Sequence, residues 1–397
     1  MKLWRKGGKK LAPAIERFTV GNDYLLDQKL LPYDCDASLA HAAMLKKTGI
    51  LSASELALIE RCLKRVKKLS AEGKFRIRPS DEDCHTAIEN YLARRCGKAG
   101  LKIHTGRSRN DQVLTALRLY EKDELKSLAA RLTQFKTTIA RLAKSGKGLK
   151  MPGYTHTRRA MPTTWDTWLS AFSAAADDNI ILLTCIRGLL DKSPLGTAAG
   201  FGLPSGIDND RAMTARLMGF AGLIENPVCA QLGRGKLEAS VLHLCSQIML
   251  DLSRLSADII LFSTPEFGLL KLGPEICTGS SIMPQKRNPD VFELLRAKYA
   301  VVLAEEFKVK AICGGLPSGY NRDLQLTKEP LMSGLQATQD SLEAACAALG
   351  GVQPDSEGCA KALTAELYSA EAALKMAKAG IPFRAAYRKA SKKFPAR

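Results

Sequence analysis

The sequence predicts an all-α fold organised around a bundle of long helices. Apolar residues recur at threes and fours over unusually long stretches, period-two alternation bounded by turn residues is nearly absent, and β-branched residues are concentrated nowhere. Strands need the alternation and β-branched enrichment that are missing here, so none is assigned and helix-on-helix packing is the remaining way to bury the apolar faces.

Taken in order, Ser52 opens the first well-marked helix. It stands three residues before Glu55, ahead of Leu56, Ile59, Leu63 and Val66, with Gly73 as a stop. This is the pattern of a capping box, in which the serine hydroxyl and the glutamate carboxylate satisfy free backbone N–H groups. A second helix is expected from about Ser80 to Gly97 and a third from Ser108 to Lys144. In the third, Leu114, Leu117, Leu125, Leu128, Leu132, Phe135, Ile139 and Leu142 form one seam. Val113 to Leu142 alone would span roughly 45 Å, and a helix of that length needs long neighbours to cover it. Thr163 to Leu190 supplies one. Leu237, Val241, Leu244, Ile248, Leu252, Leu255, Ile259 and Phe262 supply a second, and Val291 to Ile312 and Leu324 to Leu349 complete the five. Domains are expected at 1–107, 108–352 and 353–397, the last boundary resting on Gly350-Gly351 and Pro354.

Composition narrows the function classes. With 46% hydrophobic and 25% charged residues among 397, the chain is an ordinary globular one with room for a large core. A formal charge of +19 admits nucleic acid, a membrane surface or an acidic small substrate as partner. Aromatics are only 6%, so no stacking platform for single strands is present, and the cations are scattered. The densest lie at the ends: Lys2, Arg5, Lys6, Lys9 and Lys10, then Arg384, Arg388, Lys389, Lys392, Lys393 and Arg397, which read as solvated tails. Eleven cysteines without a CxxC pair suggest neither disulfide framework nor zinc site, and reduced cytosolic thiols fit them. The amino terminus lacks the apolar core of a signal peptide, and the most apolar run, Ile180 to Leu190, is broken by Arg187. Gly200 to Gly206 has glycines but follows a helix and carries no Walker lysine, so it is a connection.

Polar residues gather in four places. Gly279-Ser280-Ser281-Ile282-Met283-Pro284-Gln285-Lys286-Arg287-Asn288-Pro289-Asp290 combines hydroxyls, a lysine, an amide and two prolines, and reads as a mobile loop before a helix. His104 to Gln112 places Arg107, Ser108, Arg109 and Asn110 where the longest helix begins. That is either an ordinary N-cap or an anion site, because free N–H groups and bidentate arginine hold carboxylates. Tyr320-Asn321-Arg322-Asp323-Leu324-Gln325 with Lys328 is either a helix start or a third binding element. His156, between a helix end and Pro162, is either a hydrogen-bonded structural histidine or an acid/base group. The five histidines show no HExxH and no carboxylates at ligand spacing, so metal catalysis is not expected.

Together these clusters resemble the fumarase/aspartase superfamily, whose shared loop reads Gly-Ser-Ser-x-x-Pro-x-Lys-x-Asn-Pro. Within it, His104 to Gln112, Gly153 to His156, Ser280 to Asp290 and Tyr320 to Gln325 resemble the argininosuccinate lyase family, over nearly the full chain from Ser38 to Arg384. The resemblance implies a three-domain, all-α fold with a central long-helix bundle. It implies anti elimination of argininosuccinate to fumarate and arginine with no cofactor, and cytoplasmic homotetramers whose composite active sites draw on three subunits. By motif position, Ser280 is the general base and Lys286 and Asn288 stabilise the developing dianion. His156 stands on the leaving-group side, oriented by Glu293, with Thr155 beside it. Ser38, His85, Arg109, Asn110, Tyr320, Gln325 and Lys328 match substrate-holding positions.

The chemistry needs these residue types. Removing a proton beside a carboxylate leaves a carbanion that delocalises onto it, so a base, cationic or amide clamps and exclusion of water are required. The sequence departs from the family at Thr157-Arg158 and Met161, at Gly233-Arg234-Gly235-Lys236 where an acidic Arg-Asp segment is usual, and at Leu326-Thr327 where an acidic pair is usual. The carboxyl-terminal domain is expected to be shortened. The alternatives are a sister lyase acting on adenylosuccinate, aspartate or malate, and a noncatalytic structural homologue.

Overall fold

A computed structural model describes residues 11–205 and 208–394. Lys2, Arg5, Lys6, Lys9, Lys10 and Arg397 of the basic ends, and Gly206 of the glycine-rich connection, lie outside the described residues. The fold is all-α. The chain begins with helices α1 (Pro13–Val20), α2 (Asp23–Lys47), α3 (Ala53–Ala71), α4 (Cys84–Cys96), α5 (Lys98–Lys102) and α6 (Arg109–Ser145). After a hairpin of β1 (Lys150–Thr155) and β2 (Arg158–Thr164) come α7 (Trp165–Leu190), α8 (Arg211–Leu217), α9 (Pro227–Leu232) and α10 (Lys236–Phe262). The remainder is α11 (Asp290–Cys313), α12 (Lys328–Ala348), α13 (Ser356–Ala362), α14 (Ser369–Lys378) and α15 (Phe383–Lys393). The cations Arg384, Arg388, Lys389, Lys392 and Lys393 are exposed on α15 rather than on an irregular tail.

The expected helices form for the expected reasons. Ser52 Oγ accepts from the Glu55 N–H at 3.2 Å, and the Ser52 N–H donates to Glu55 Oε2 at 2.8 Å, closing the capping box of α3. Every member of the α6 seam from Leu114 to Leu142 is buried, as is the α10 seam from Val241 to Phe262. Each such side chain contributes roughly 1.5–3 kcal/mol on leaving water, and this burial stabilises helices of 37 and 27 residues. Three helix starts differ, the first being α4, which begins at Cys84 rather than about Ser80. The segment expected to open α7 at Thr163 is still strand, and Arg322–Thr327 is a 3-10 turn before α12.

The chain divides into two compact units, one of residues 1–127, 183–243 and 304–335, the other of 128–182, 244–303 and 336–397. Each of the five long helices supplies residues to both. The first unit contains a buried ionic group in which Arg118 pairs with Glu121 and, at 3.6 Å, with Glu238. Burial raises the Glu121 carboxyl to about 7 against the pull of Arg118. In the second unit Trp165, Trp168, Phe262, Phe267 and Tyr154 form an aromatic cluster, and Trp165 Nε1 donates to the Leu142 carbonyl at 2.8 Å. Tyr154 lies in β1, with ring centroids 5.8 Å from Phe262 and 5.1 Å from Phe267. These contacts anchor the hairpin at its turn end.

Candidate active site

In the first unit, several chain segments converge on a small polar pocket. Helix α2 places Asp23, Asp27, Asp34 and Ser38 at intervals of four, seven and four, all buried on one face. Asp83 caps α4 by accepting from the Thr86 N–H and hydroxyl, both at 2.8 Å, which fixes Cys84, His85 and Thr86 in the first turn. Arg109, at the start of α6, then donates to Thr86 Oγ1 at 2.6 Å and lies 3.3 Å from Asp83. Its helix start is secured by Asp111, whose carboxylate accepts from the N–H groups of Ser108, Gly196 and Ala198, each at 2.9 Å. Arg107 is buried and donates to Ser38 Oγ at 2.9 Å.

A further segment is the turn before α12. Gln325 donates to the Thr19 carbonyl at 3.1 Å, Arg322 pairs with Glu82 at 2.8 Å, and the Arg234 guanidinium sits 5.0 Å from the Tyr320 ring centroid. Lys328 is fully enclosed, 2.8 Å from Asp23 and 2.7 Å from Asp27. Burial alone would lower its pKa, but Asp27 and Asp23 hold it above the usual lysine range. Asp23 is raised to about 6 by burial, with Lys328 opposing. His85 donates from Nδ1 to Asp34 at 2.9 Å. Burial disfavours its cation, yet the Asp34 carboxylate wins and raises it to about 9, so it is an imidazolium at neutral pH.

His85, Arg109, Asn110, Tyr320, Gln325 and Lys328 therefore line one cavity of about 50 Å³. Ser38 does not line it; its hydroxyl accepts from Arg107 instead. A space of that size admits a single carboxylate-sized group. The acidic residues that hold its cations, Asp23, Asp27, Asp34, Glu82 and Asp83, are missing from the sequence expectations. Their signal was the one-face spacing along α2 and the N-cap position of Asp83. Asp27, Cys84 and His85 also bring ligand-type atoms within 4.8 Å of one another. The Lys328 ammonium already occupies Asp27 and Asp34 already occupies His85, so the charge a metal would supply is present as side chains.

The other expected residues lie in the second unit. Thr278–Gly279 pairs antiparallel with Arg287–Asn288, so the polar loop is closed at its base rather than free along its length. Thr278 donates its hydroxyl to Asp290, and Asn288 Nδ2 donates to the Gly279 carbonyl at 3.4 Å. Ser280 Oγ accepts from the N–H groups of Ile282 at 3.3 Å and Met283 at 3.1 Å. Lys286 and Glu293 are exposed, and neither hydrogen-bonds to another described side chain.

Thr155 ends β1, where it pairs with Arg158, and His156 is the first residue of the hairpin turn. His156 has φ +52° and Thr157 φ +56°, so both central residues of a two-residue turn are left-handed without being glycine. The turn thrusts the exposed imidazole outward, and no hydrogen bond joins it to Glu293 or to any other described residue. Of the departures, Arg158, Met161 and Leu326 are exposed and Thr327 is buried, donating to the Leu324 carbonyl at 2.9 Å. Gly235 has φ +79°, and a Cβ built there would overlap the Cys313 sulfur, so an acidic side chain does not fit beside that cysteine.

Comparison with known proteins places these arrangements among relatives. The lyase family matches residues 10–304. An argininosuccinate lyase of Thermotoga neapolitana is 44% identical over 393 residues, covering 99% of this chain and 98% of that protein. One of Sorangium cellulosum is 43% identical over 389 residues, covering 98% and 90%. Among solved structures, an EDDS lyase in complex with formate is 25% identical with a TM-score of 0.81, covering 97% of this chain and 76% of that one.

Proposed function

The chain belongs to the lyase family, and from that premise we infer that it cleaves argininosuccinate to fumarate and L-arginine by anti β-elimination. The observation that carries this is near-full-length identity to argininosuccinate lyases, 44% over 99% of the chain. The pocket chemistry agrees with it. A small cavity bordered by Arg109, Lys328 and Asn110 suits one carboxylate of a multiply anionic substrate.

In the proposed mechanism Ser280 removes the proton beside a carboxylate. A hydroxyl does this only as an alkoxide, and two features support that form: the Ile282 and Met283 N–H groups aimed at Oγ, and the Lys286 cation on the same loop. The electron pair left on carbon spreads into the carboxylate, where Lys286 and Asn288 take up the charge. The C–N bond then breaks, and the guanidino nitrogen leaves as arginine, with His156 beside Thr155 as proton donor and Glu293 as its orienting carboxylate. Ser38, His85, Arg109, Asn110, Tyr320, Gln325 and Lys328 hold the substrate. No cofactor enters these steps.

The enzyme works as a cytoplasmic homotetramer with composite sites, divided as 1–107, 108–352 and 353–397. Uncovered apolar side chains support self-association: Ile181 and Leu189 on α7, and Leu294, Val301, Leu303 and Phe307 on α11. By length and composition α7 would also suit a bilayer, but Asp177, Asn179 and Trp168 tie it by polar bonds to Lys136, Asp251 and Asp258. Purified protein is expected to release fumarate from argininosuccinate, seen as rising ultraviolet absorbance, and to elute larger than a monomer. Ser280→Ala is expected to abolish release with unchanged elution; full activity in that variant removes Ser280 as base. A wild type inert on argininosuccinate but active on another fumarate adduct refutes the substrate assignment, and elution of active enzyme as a monomer refutes the composite site.

A further inference from the structure

Helices α3 and α4 bring two cysteines into contact away from the pocket. Cys62, within α3, is half-buried, whereas Cys96, the last residue of α4, is buried. Their sulfurs lie 3.4 Å apart and both are free thiols. A disulfide is about 2.05 Å long, so the sulfurs have to approach by little more than an ångström. The backbone can supply that movement. Gly97 follows Cys96 with φ +53°, ends α4, and has nothing within 4 Å of where a side chain would stand.

We propose that Cys62 and Cys96 are a redox modification site, an intramolecular disulfide that forms with hydrogen peroxide and reopens with a dithiol reductant. Cys62 reaches solvent and reacts first. Its thiolate attacks one peroxide oxygen, the O–O bond breaks, and the departing hydroxide takes up a proton to become water, leaving a sulfenic acid. The Cys96 sulfur then displaces that oxygen, which leaves as a second water carrying the Cys96 proton. Two thiols are oxidised by two electrons and one peroxide is reduced to two waters. Cys96 suits the resolving role. Burial and the Cys62 sulfur push its thiol up to about 12, with the nearby Arg61 guanidinium opposing, so it waits as a thiol for an electrophile formed beside it. The bond would tie α3 to the helix whose opposite end presents Asp83, His85 and Thr86.

The test uses the full chain. Reduced protein is treated with hydrogen peroxide, its remaining thiols are alkylated, and it is digested without reductant. The expected result is one linked peptide pair containing Cys62 and Cys96, a fall of two in titratable thiols, and recovery of both on dithiothreitol. Cys62→Ala and Cys96→Ala should each abolish the linked pair while keeping wild-type fumarate release. The proposal is overturned if Cys62 and Cys96 remain alkylatable after the exposed Cys185 and Cys229 have oxidised. It is equally overturned if Cys62 is recovered as sulfinic acid or in a link between chains.

Discussion

Replacing Asp34 by asparagine isolates the energetics of the buried His85 pair. The imidazole is enclosed, and the Asp34 carboxylate 2.9 Å away, helped by Asp83 and Asp27, keeps it charged against burial, raising it from 6.5 to about 9. A rise of that size corresponds to about 3 kcal/mol of stability. Because the folded-state value lies above the ordinary one, this contribution is fully present below pH 6.5 and is lost as pH rises through 9. In Asp34→Asn the nearest and hydrogen-bonded counter-charge is gone, leaving Asp83 and Asp27, and burial prevails so that His85 folds neutral. The variant should therefore be about 3 kcal/mol less stable near pH 6, and the gap should shrink to a small fraction of that near pH 10. Urea unfolding at fixed protein concentration reads this as a midpoint lowered by roughly 1 M at the lower pH. Asp23, raised to about 6, titrates in both proteins and cancels in the difference. An equal loss of stability at both pH values would show that the pair is not held by charge and refute the reasoning.

Two further substitutions test backbone and packing. Thr157 is a β-branched residue at φ +56°, a conformation that costs about 1–2 kcal/mol outside glycine, so Thr157→Gly should raise the thermal midpoint by a degree or two; no rise means that the turn is unstrained. Gly235→Asp restores the acidic residue usual in the resembled family, but its Cβ would strike the Cys313 sulfur, so a loss of about 2 kcal/mol or more is expected in denaturant unfolding. Cys313→Ala in the same chain should recover part of that loss, the remainder being the φ +79° strain, and identical losses in the single and double variants would refute the packing account.

The helical scaffold was legible because its signals are local and repeated. Ser52 with Glu55, and the leucines of α6, announce themselves within a few turns, and burial follows their spacing. The β1–β2 hairpin was not legible. Pro152, Gly153 and Pro162 argue against strands, and neither strand alternates buried with exposed residues. Helix α2 was overlooked for the opposite reason. One buried side carries Asp23, Asp27, Asp34 and Ser38, interspersed with the buried Leu30, Leu31, Met44 and Leu45, and Pro32 interrupts the helix interior, so the apolar periodicity is broken by carboxylates. The cations and amides of the pocket were visible as polar clusters at helix ends. Their carboxylate partners come from α2 and the start of α4, and only the fold brings those residues beside Lys328, Arg109 and His85.

That pairing also fixes where the cost of binding falls. Lys328 and His85 are already desolvated and held by Asp23, Asp27 and Asp34, so a substrate group entering the pocket reorganises little. Lys286, His156 and Glu293 are exposed and unbonded among the described residues, and ordering three such side chains costs roughly 2–4 kcal/mol. Ile282, beside the candidate base, is 83% exposed, and its burial on a covered loop would return about 1.5–3 kcal/mol. The two terms nearly cancel. Of the three, only Lys286 stands on the loop between the paired strands Thr278–Gly279 and Arg287–Asn288, whose closed base spares part of the entropy a free loop would lose.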